Sequence, residues 1–424
     1  MNKQAVTQTI SRCLLTLHLC LTLTLTACGG GNAAPTNPEE NPGDNQLIQT
    51  KDIQTYFNYP SPLNPASDLE QVILDFINAA ETSIDVAVYD LDMESIATAL
   101  VEAHNQGIKV RIVTDEDNLG TENQTAYSLL DQHQVPWIDD TADGSKGSGL
   151  MHNKFIIVDQ TRVLTGSTNF THSGIHGDLD EDGNYQGTGN VNNIVTIESP
   201  ALAEIFTSEF NQYWGDGPGG ELDSKFGLSK VDHSVQTIFT ATDGIQIDVQ
   251  FSPQSKTKYE GSTLATLENL FLSANERIYI AQFVFSAQVL ADAMQTRALT
   301  GVEVKGLGDR SFFYRYFSEF LDLTGAIRLT DKGEYETDAA TGHLNNPWNI
   351  PAEAYHAIVS EHDKFHHKFF VVDDKVATGS HNASAAGAFA NDDLVLIIHD
   401  EEIASKFANE FLSHLETARS AANQ

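Results

Sequence analysis

Apolar positions in this chain follow two periodicities, and the order in which they alternate occurs twice. Leu69, Val72, Ile73, Phe76 and Ile77 recur at helical spacing behind Ser67-x-x-Glu70, which predicts a helix opened by a capping box. The run Ile84 to Leu91 predicts a strand, and Ile96, Ala97, Leu100 and Val101 predict a second helix that stops at Gly107. Ile108 to Thr114 reads as another strand. Two short runs of β-branched and aromatic residues follow, Phe155 to Val158 and Val163 to Gly166, separated by turn residues. An amphipathic helix carrying Leu202, Ile205, Phe206, Phe210 and Tyr213 closes the series.

The second half reuses this order. Phe251-Ser-Pro matches Phe57-Asn-Tyr-Pro, and Leu264, Leu267, Leu270 and Phe271 mark a helix. A strand Ile278 to Phe285, a helix Ala287 to Leu299 stopped by Gly301, and a strand Val302 to Leu307 come next. The apolar run Phe369 to Val372 and a closing helix with Ile403, Phe407 and Phe411 complete the repeat. The pattern breaks between Gly215 and Ser234, at Gly-Asp-Gly-Pro-Gly-Gly, so domains are expected over 51–220 and 234–424. Alternating helices and strands predict an α/β fold, each half a mainly parallel or mixed sheet covered by helices on both sides.

The same polar residues stand beside each hairpin. His152-x-Lys154 with Asp159, then Gly166-Ser167-x-Asn169, is matched by His366-x-Lys368 with Asp373, then Gly379-Ser380-x-Asn382. On a strand, residues two apart share a face, so His152 pairs with Lys154 and His366 with Lys368. Asp159 and Asp373 fall on the other face beside a turn, which gives them a part in holding the hairpin. The second hairpin is one residue shorter and should turn more tightly. Breaking a phosphodiester requires a nucleophile, an acid for the leaving oxygen, and positive charge around the phosphate. One copy supplies half of that set. Two copies face to face supply two imidazoles, whose ordinary pKa of about 6.5 makes both protonation states reachable, and two ammonium groups that make a metal or other cofactor unnecessary.

These residues resemble the paired HKD motifs of the phospholipase D superfamily. The resemblance implies two phospholipase D-like domains related by a pseudo-twofold with one shared active site. It also implies a covalent phosphohistidine, on His152, with His366 as acid and then activator of water. His152, Lys154, Asp159, His366, Lys368 and Asp373 form the catalytic set that the resemblance implies, and Ser167, Asn169, Ser380 and Asn382 the substrate-binding set. Family members often add a residue that orients a catalytic imidazole. Here Asn192 and Asp392 are the expected pair, an amide against a carboxylate, and that asymmetry would separate the pKa values of the two histidines.

The N-terminus resembles a bacterial lipoprotein signal. Lys3 and Arg12 precede a Leu-rich stretch ending in Leu25-Thr26-Ala27-Cys28-Gly29, which implies a leader over 1–27 and lipidation at Cys28. A plain secretory signal with an incidental cysteine is the alternative. Residues 28–50 read as a flexible tether. With Cys13 and Cys20 gone in the leader, a lipidated Cys28 leaves no cysteine for a disulfide. Gly29, rather than Asp, fits an outer-membrane lipoprotein facing the periplasm.

Charge narrows the partners. Twenty-four Lys and Arg against 59 Asp and Glu give −35, so nucleic acid is disfavoured by long-range repulsion, as is an anionic surface, unless salt screens it. A phospholipid headgroup phosphodiester is the expected substrate. A metal-independent nuclease of the same superfamily and a noncatalytic envelope-binding module are the alternatives. Three segments bear on the substrate: the aromatic stretch Ser311 to Leu321, read as core or as a lipid-facing patch; the insertion Gly333 to His362, expected to contact substrate; and Asp178-x-Asp180-x-Asp182-Gly183, which opens like a calcium loop but has Gly189 at the twelfth position, favouring a solvated acidic loop.

Overall fold

The computed structural model describes residues 51–59, 64–120, 124–142, 149–180, 182–219, 223–231, 234–338 and 342–424. The expected leader, the tether and Cys28 lie outside the described residues. Residues 50–424 form one compact unit. Among the described residues no helix is long and apolar enough to cross a membrane.

The first half contributes strands β1 (Ile53–Phe57), β2 (Ser83–Val88), β3 (Lys109–Thr114), β4 (Trp137–Asp139), β5 (Lys154–Val158) and β6 (Arg162–Gly166). A small ribbon, β7 (Asp178–Leu179) with β8 (Tyr185–Gln186), precedes β9 (Asn193–Glu198). The second half contributes β10 (Gln236–Phe239), β11 (Gln246–Phe251), β12 (Arg277–Gln282), β13 (Glu303–Gly308), β14 (Glu353–His356), β15 (Lys368–Val372), β16 (Lys375–Gly379) and β17 (Leu394–His399). Strand order is β1-β9-β6-β5-β2-β3-β4 in one sheet and β10-β11-β17-β16-β15-β12-β13-β14 in the other. Apart from the edge strand β10, the two orders correspond strand for strand, so the repeat in the sequence is a repeat in topology. Both sheets are mixed: β2, β3 and β4 run parallel, as do β12, β13 and β14, and the hairpins are antiparallel.

Helices Leu69–Asn78, Glu94–Asn105 and Gln124–Gln132 cover the outer face of the first sheet. Thr263–Leu272, Gln288–Ala298 and Glu319–Thr324 cover the outer face of the second. The inner faces share one core with the two closing helices, Pro200–Trp214 and Glu401–Ala422. Phe206 of one closing helix meets Phe155 and Phe251 at 5.1 and 5.2 Å, bridging the two sheets. Phe407 of the other meets Phe57 and Phe369, both at 5.0 Å. Each such ring contributes about 3 to 5 kcal/mol against truncation to alanine, so the two halves are joined through a common core.

Several boundaries differ from expectation. The first helix is capped by Asp68, which accepts from Gln71 N at 3.1 Å, while Glu70 turns to His176 Nε2 at 2.7 Å; no Ser67 capping box forms. The strands expected to reach Leu91 and Phe285 end at Val88 and Gln282, and those two residues instead bridge Phe170 and Ala383. The hairpin loops differ as expected: Val158 pairs with Arg162 across three residues, and Val372 with Lys375 across two. Within the expected boundary segment, Phe226 and Lys230 are buried. Lys230 Nζ meets the Asp392 carboxylate at 2.6 Å, Tyr213 Oη at 3.0 Å, Ser252 O at 2.7 Å and the Glu209 carboxylate, which fixes this connection between the halves.

Candidate active site

Each histidine stands two residues ahead of its strand, because β5 begins at Lys154 and β15 at Lys368. Neither lies on a strand of its own sheet. The opposite half holds it in place: His152 N donates to Asp392 O at 2.9 Å and Asp392 N to Leu150 O at 2.8 Å. Likewise His366 N donates to Val191 O at 3.0 Å and Val191 N to Lys364 O at 2.8 Å. Two carboxylates at the ends of β3 and β13 support the residues just before the histidines. Asp115 Oδ2 accepts from Met151 N at 2.7 Å, and Asp309 Oδ2 from Phe365 N at 2.8 Å. Sequence reasoning missed both. The signal was present as an Asp closing a strand and capping the turn after it, through Asp117 N at 3.0 Å and Ser311 N at 2.8 Å.

The imidazoles are oriented across the same interface. His152 Nδ1 lies 2.7 Å from Asp393 Oδ1, and His366 Nδ1 lies 3.0 Å from Asn192 Oδ1. Asn192 therefore stands where expected, but its counterpart is Asp393 and not Asp392. The bridges Met151 with Asp392 and Val191 with Phe365 set the register, making Asp392 the partner of Val191 in the repeat. Alternation along the strand then turns Asp392 away toward Lys230 and Gly227 N. Ser167 and Ser380 also act differently from the expected substrate contacts. Their hydroxyls donate to Asn192 Oδ1 at 2.7 Å and Asp393 Oδ1 at 2.6 Å, and accept from Asn193 N and Leu394 N. They brace the orienting residues. Asn169 Oδ1 and Asn382 Oδ1 are buried without a protein partner.

Asp159 and Asp373 lie at the far ends of the hairpins from the histidines. Asp159 accepts from Thr82 N at 2.6 Å, Ser83 N at 3.0 Å and Glu81 N. Asp373 accepts from Asn275 N, Glu276 N and Arg277 N at 2.8 to 3.0 Å. They tie each hairpin to the start of β2 or β12, so the motif's third letter belongs to the fold and not to the reacting centre. Both occupy left-handed backbone, φ 53°.

The centre itself is buried and cationic. Lys154 and Lys368 are each 1% exposed. Lys154 Nζ donates to His152 O at 2.6 Å, and Lys368 Nζ lies 2.9 Å from His366 Nε2. Their ammonium groups lie over Tyr89 at 4.9 Å and Phe283 at 5.4 Å, rings that also pack edge-on against His152 and His366. Burial, helped by Lys154 and opposed by Asp393, lowers His152 to about 4. Burial, with Lys368 and Lys154 adding to it, holds His366 well below the usual imidazole range. Lys154 is lowered to about 7 by burial, against the pull of Asp393, and burial beside Lys154 pushes Lys368 well down. Burial would raise the Asp393 carboxyl, but His152, His381 and Lys154 outweigh it and hold it at about 2. An anion entering this pocket offsets the cationic repulsion and raises all four basic groups.

The residue between each His and Lys faces the shared core. Asn153 Nδ2 donates to Tyr213 Oη at 2.8 Å, and His367 Nε2 lies 3.4 Å from Glu410 Oε1, with His414 Nε2 3.1 Å from the same oxygen. Among the described residues, His367, Glu410 and His414 are the one group of such side chains close enough together to take a cation. Asp180 spends its carboxylate on Asp182 N and Asn184 N in the turn between β7 and β8. The aromatic stretch divides: Phe313 and Phe320 are core, Phe312 packs on Phe283 at 4.8 Å, and Tyr314 and Tyr316 are exposed. The insertion divides as well, burying Trp348 and supplying β14 as an edge strand.

A family model described as the PLD-like domain of cardiolipin synthase matches residues 73–214 and 267–415. A phospholipase D of Rickettsia conorii is 34% identical over 142 residues, 34% of this chain and 62% of the relative. A mitochondrial cardiolipin hydrolase of Chlamydomonas reinhardtii is 28% identical over 141 residues, 33% of this chain and 55% of the relative. The matched stretch thus spans less than two thirds of either relative. Among solved structures, a phosphatidylserine synthase of Haemophilus influenzae aligns over 89% of this chain and 87% of its own, with a TM-score of 0.55 at 13% identity, a likeness of fold.

Proposed function

Since the chain belongs to the phospholipase D superfamily, we propose that it hydrolyses the headgroup phosphodiester of phospholipids through a phosphohistidine on His152. The observation that carries the assignment of roles is the unequal support of the two imidazoles, a carboxylate behind His152 and an amide behind His366. A carboxylate accepting from Nδ1–H leaves Nε2 as the nucleophilic atom and stabilises the positive charge of a phosphorylated ring. An amide orients its ring without that support, so protonated His366 gives up its proton more readily.

His152 Nε2 attacks phosphorus, and the bond to the leaving alcohol breaks as His366 delivers a proton to that oxygen. His366, now neutral, takes a proton from water; the hydroxide oxygen bonds to phosphorus and the bond to His152 Nε2 breaks. Lys154 and Lys368 neutralise the phosphate oxygens throughout, with Asn169 and Asn382 beside them. His366 is neutral before substrate arrives, and the phosphate anion raises its affinity for the proton it later donates. The expectation at Cys28 joins this reading as a lipid tether that holds the enzyme at its substrate.

The protein lacking residues 1–27 should release headgroup from phosphatidylcholine or phosphatidylglycerol in EDTA. Phosphoprotein should persist in His366→Ala and vanish in His152→Ala. Cleavage of single-stranded DNA with no headgroup release would replace this reading by a nuclease, and full activity in both histidine variants would refute the mechanism.

A further inference from the structure

The repeat continues behind the motif, where the two closing helices meet the shared core. Asn153 and His367 stand between the His and Lys of their copies, and Glu209 and Tyr213 follow Phe206 at the spacing with which Glu410 and His414 follow Phe407. All six of these polar residues are buried. In each half the residue between His and Lys, a carboxylate on the closing helix and the side chain four positions on form one cluster. In the first half a cation fills it: the buried Lys230 ammonium pairs with the Glu209 carboxylate and lies 3.0 Å from Tyr213 Oη. In the second half, among the described residues, Glu410 has two imidazoles as its ion-pair partners and no ammonium.

Those imidazoles are set as ligands. Asn193 Nδ2 donates to Thr378 Oγ1 at 3.1 Å, which turns the amide oxygen toward His367 Nδ1 at 3.3 Å. That bond takes the Nδ1 proton and leaves the Nε2 lone pair facing Glu410 Oε1, 3.4 Å away. A lone pair set against a carboxylate oxygen calls for a cation between them. His414 Nε2 reaches the same oxygen at 3.1 Å. With metal–ligand bonds of about 2.0 to 2.1 Å, the edge of a tetrahedron is about 3.3 to 3.4 Å, close to both separations. Ligand atoms of all three residues lie within 4.8 Å of one another. Glu410 Oε2 is buried with no hydrogen-bond partner, an anionic oxygen that the protein leaves unsatisfied. Phe365 and Phe369 pack 5.2 and 5.0 Å from His367, and Tyr59 packs 4.3 Å from His414, so a polar centre sits inside an aromatic wall.

We propose that His367, Glu410 and His414 hold one divalent transition-metal ion, Zn²⁺ by its donor set, in the place that corresponds to the Lys230 ammonium of the first half. Two imidazole nitrogens and a carboxylate suit zinc, whereas Mg²⁺ and Ca²⁺ take oxygen donors. Glu410 Oε2 offers a fourth contact. The site is structural. His367 faces the shared core while His366 and Lys368 face the phosphate, so the ion lies behind the chain from the reacting atoms and makes no bond in the reaction. It clamps the residue between His366 and Lys368 to the closing helix Glu401–Ala422, and so fixes the second catalytic pair. Headgroup release in EDTA remains expected, because His367, Glu410 and His414 are 0, 0 and 1% exposed and closed to a chelator.

Metal analysis of the untagged full chain tests this without turnover. After dialysis against EDTA the parent should keep about one zinc ion, and His152→Ala should keep it too, because the reacting centre supplies no ligand. His414→Phe and Glu410→Gln should lose it. Asn193→Ala, which acts on the ion only through His367, should bind zinc about 10- to 100-fold more weakly in competition with a chelator. The parent refolded from guanidinium without metal should gain thermal stability on addition of Zn²⁺, and with Co²⁺ it should show the intense visible bands of tetrahedral coordination. A parent that carries no zinc and takes up neither ion would refute the site, as would zinc retained in Glu410→Gln or lost in His152→Ala. Where a ligand variant fails to fold, X-ray absorption of the zinc-bound parent decides. Imidazole and oxygen donors at about 2.0 to 2.2 Å are expected; sulfur donors would move the ion to Cys13, Cys20 and Cys28 and overturn the assignment.

Discussion

Replacing Asp393 by asparagine keeps the shape of the site and removes one charge. The amide oxygen can still accept from His152 Nδ1 and from Ser380 Oγ, as Asn192 does in the other half. The Asp393 carboxyl is held at about 2 against an ordinary 3.8, even though its burial works in the opposite direction. At 1.36 kcal/mol per pH unit that displacement amounts to about 2 to 3 kcal/mol. The attraction is mutual and is shared among His152, His381 and Lys154, with His152 its largest contributor, so a free energy of at most this order supports positive charge on His152. Withdrawn from the transition state, it slows phosphoenzyme formation by up to about 30- to 150-fold. Rapid-quench measurement of phosphoprotein at pH 7 with EDTA present checks this, alongside steady-state headgroup release. Asp393→Asn should lower kcat with KM little changed, and shift the limb belonging to His152 to lower pH, since burial then acts unopposed. A loss below about 3-fold, beneath the range worked from the structure, or an undisturbed pH profile, would refute the assignment of His152 as the charged partner.

Asn192→Asp gives His366 the carboxylate that His152 has. It should raise the His366 pKa and move the alkaline limb of kcat up by about 1 pH unit or more, seen in a pH–rate profile. Asp159→Asn should leave kcat alone and destabilise the fold by about 2 kcal/mol at pH 7, measured by urea unfolding. Because that carboxyl is depressed to about 2, its contribution is present above its unfolded value and is lost as pH falls through 2, where parent and variant should converge. Lys230→Met leaves Glu209 and Asp392 buried without their cation and should cost about 3 to 5 kcal/mol; adding Glu209→Gln should recover part of it, as read by thermal unfolding. Cys28→Ser in the full chain should abolish incorporation of labelled fatty acid and release the protein from the membrane fraction.

Much of this was legible in local pattern. Apolar spacing located the repeated helices and strands, and counting alternate faces put Asp159 and Asp373 on the hairpins, against the catalytic place that the family motif implies for them. The errors share one cause. Asp393 was displaced by its neighbour because the register that aims it is set by a bridge to Met151, 241 residues away from the segment containing it. Ser167 and Ser380 look like substrate contacts until Asn192 and Asp393 are seen to claim them. Lys230 sat in a stretch read as a boundary, and only the convergence of Glu209, Asp392 and Tyr213 explains its burial. Contacts between segments distant along the chain, within a half as at Ser167 and Asn192 or across the halves as at Met151 and Asp392, leave no periodic trace in either segment.

The crossed support of the histidines also sets a clock. His152 and Asp393 are separated by 241 positions, and at about 5 to 20 residues per second of synthesis the first half exists for roughly 10 to 50 seconds before its orienting carboxylate is made. Throughout that interval the chain carries the first histidine with nothing to aim it. Under the proposed function the protein is thus inert for as long as it is being produced, and gains its activity only when its last strands close over its first motif.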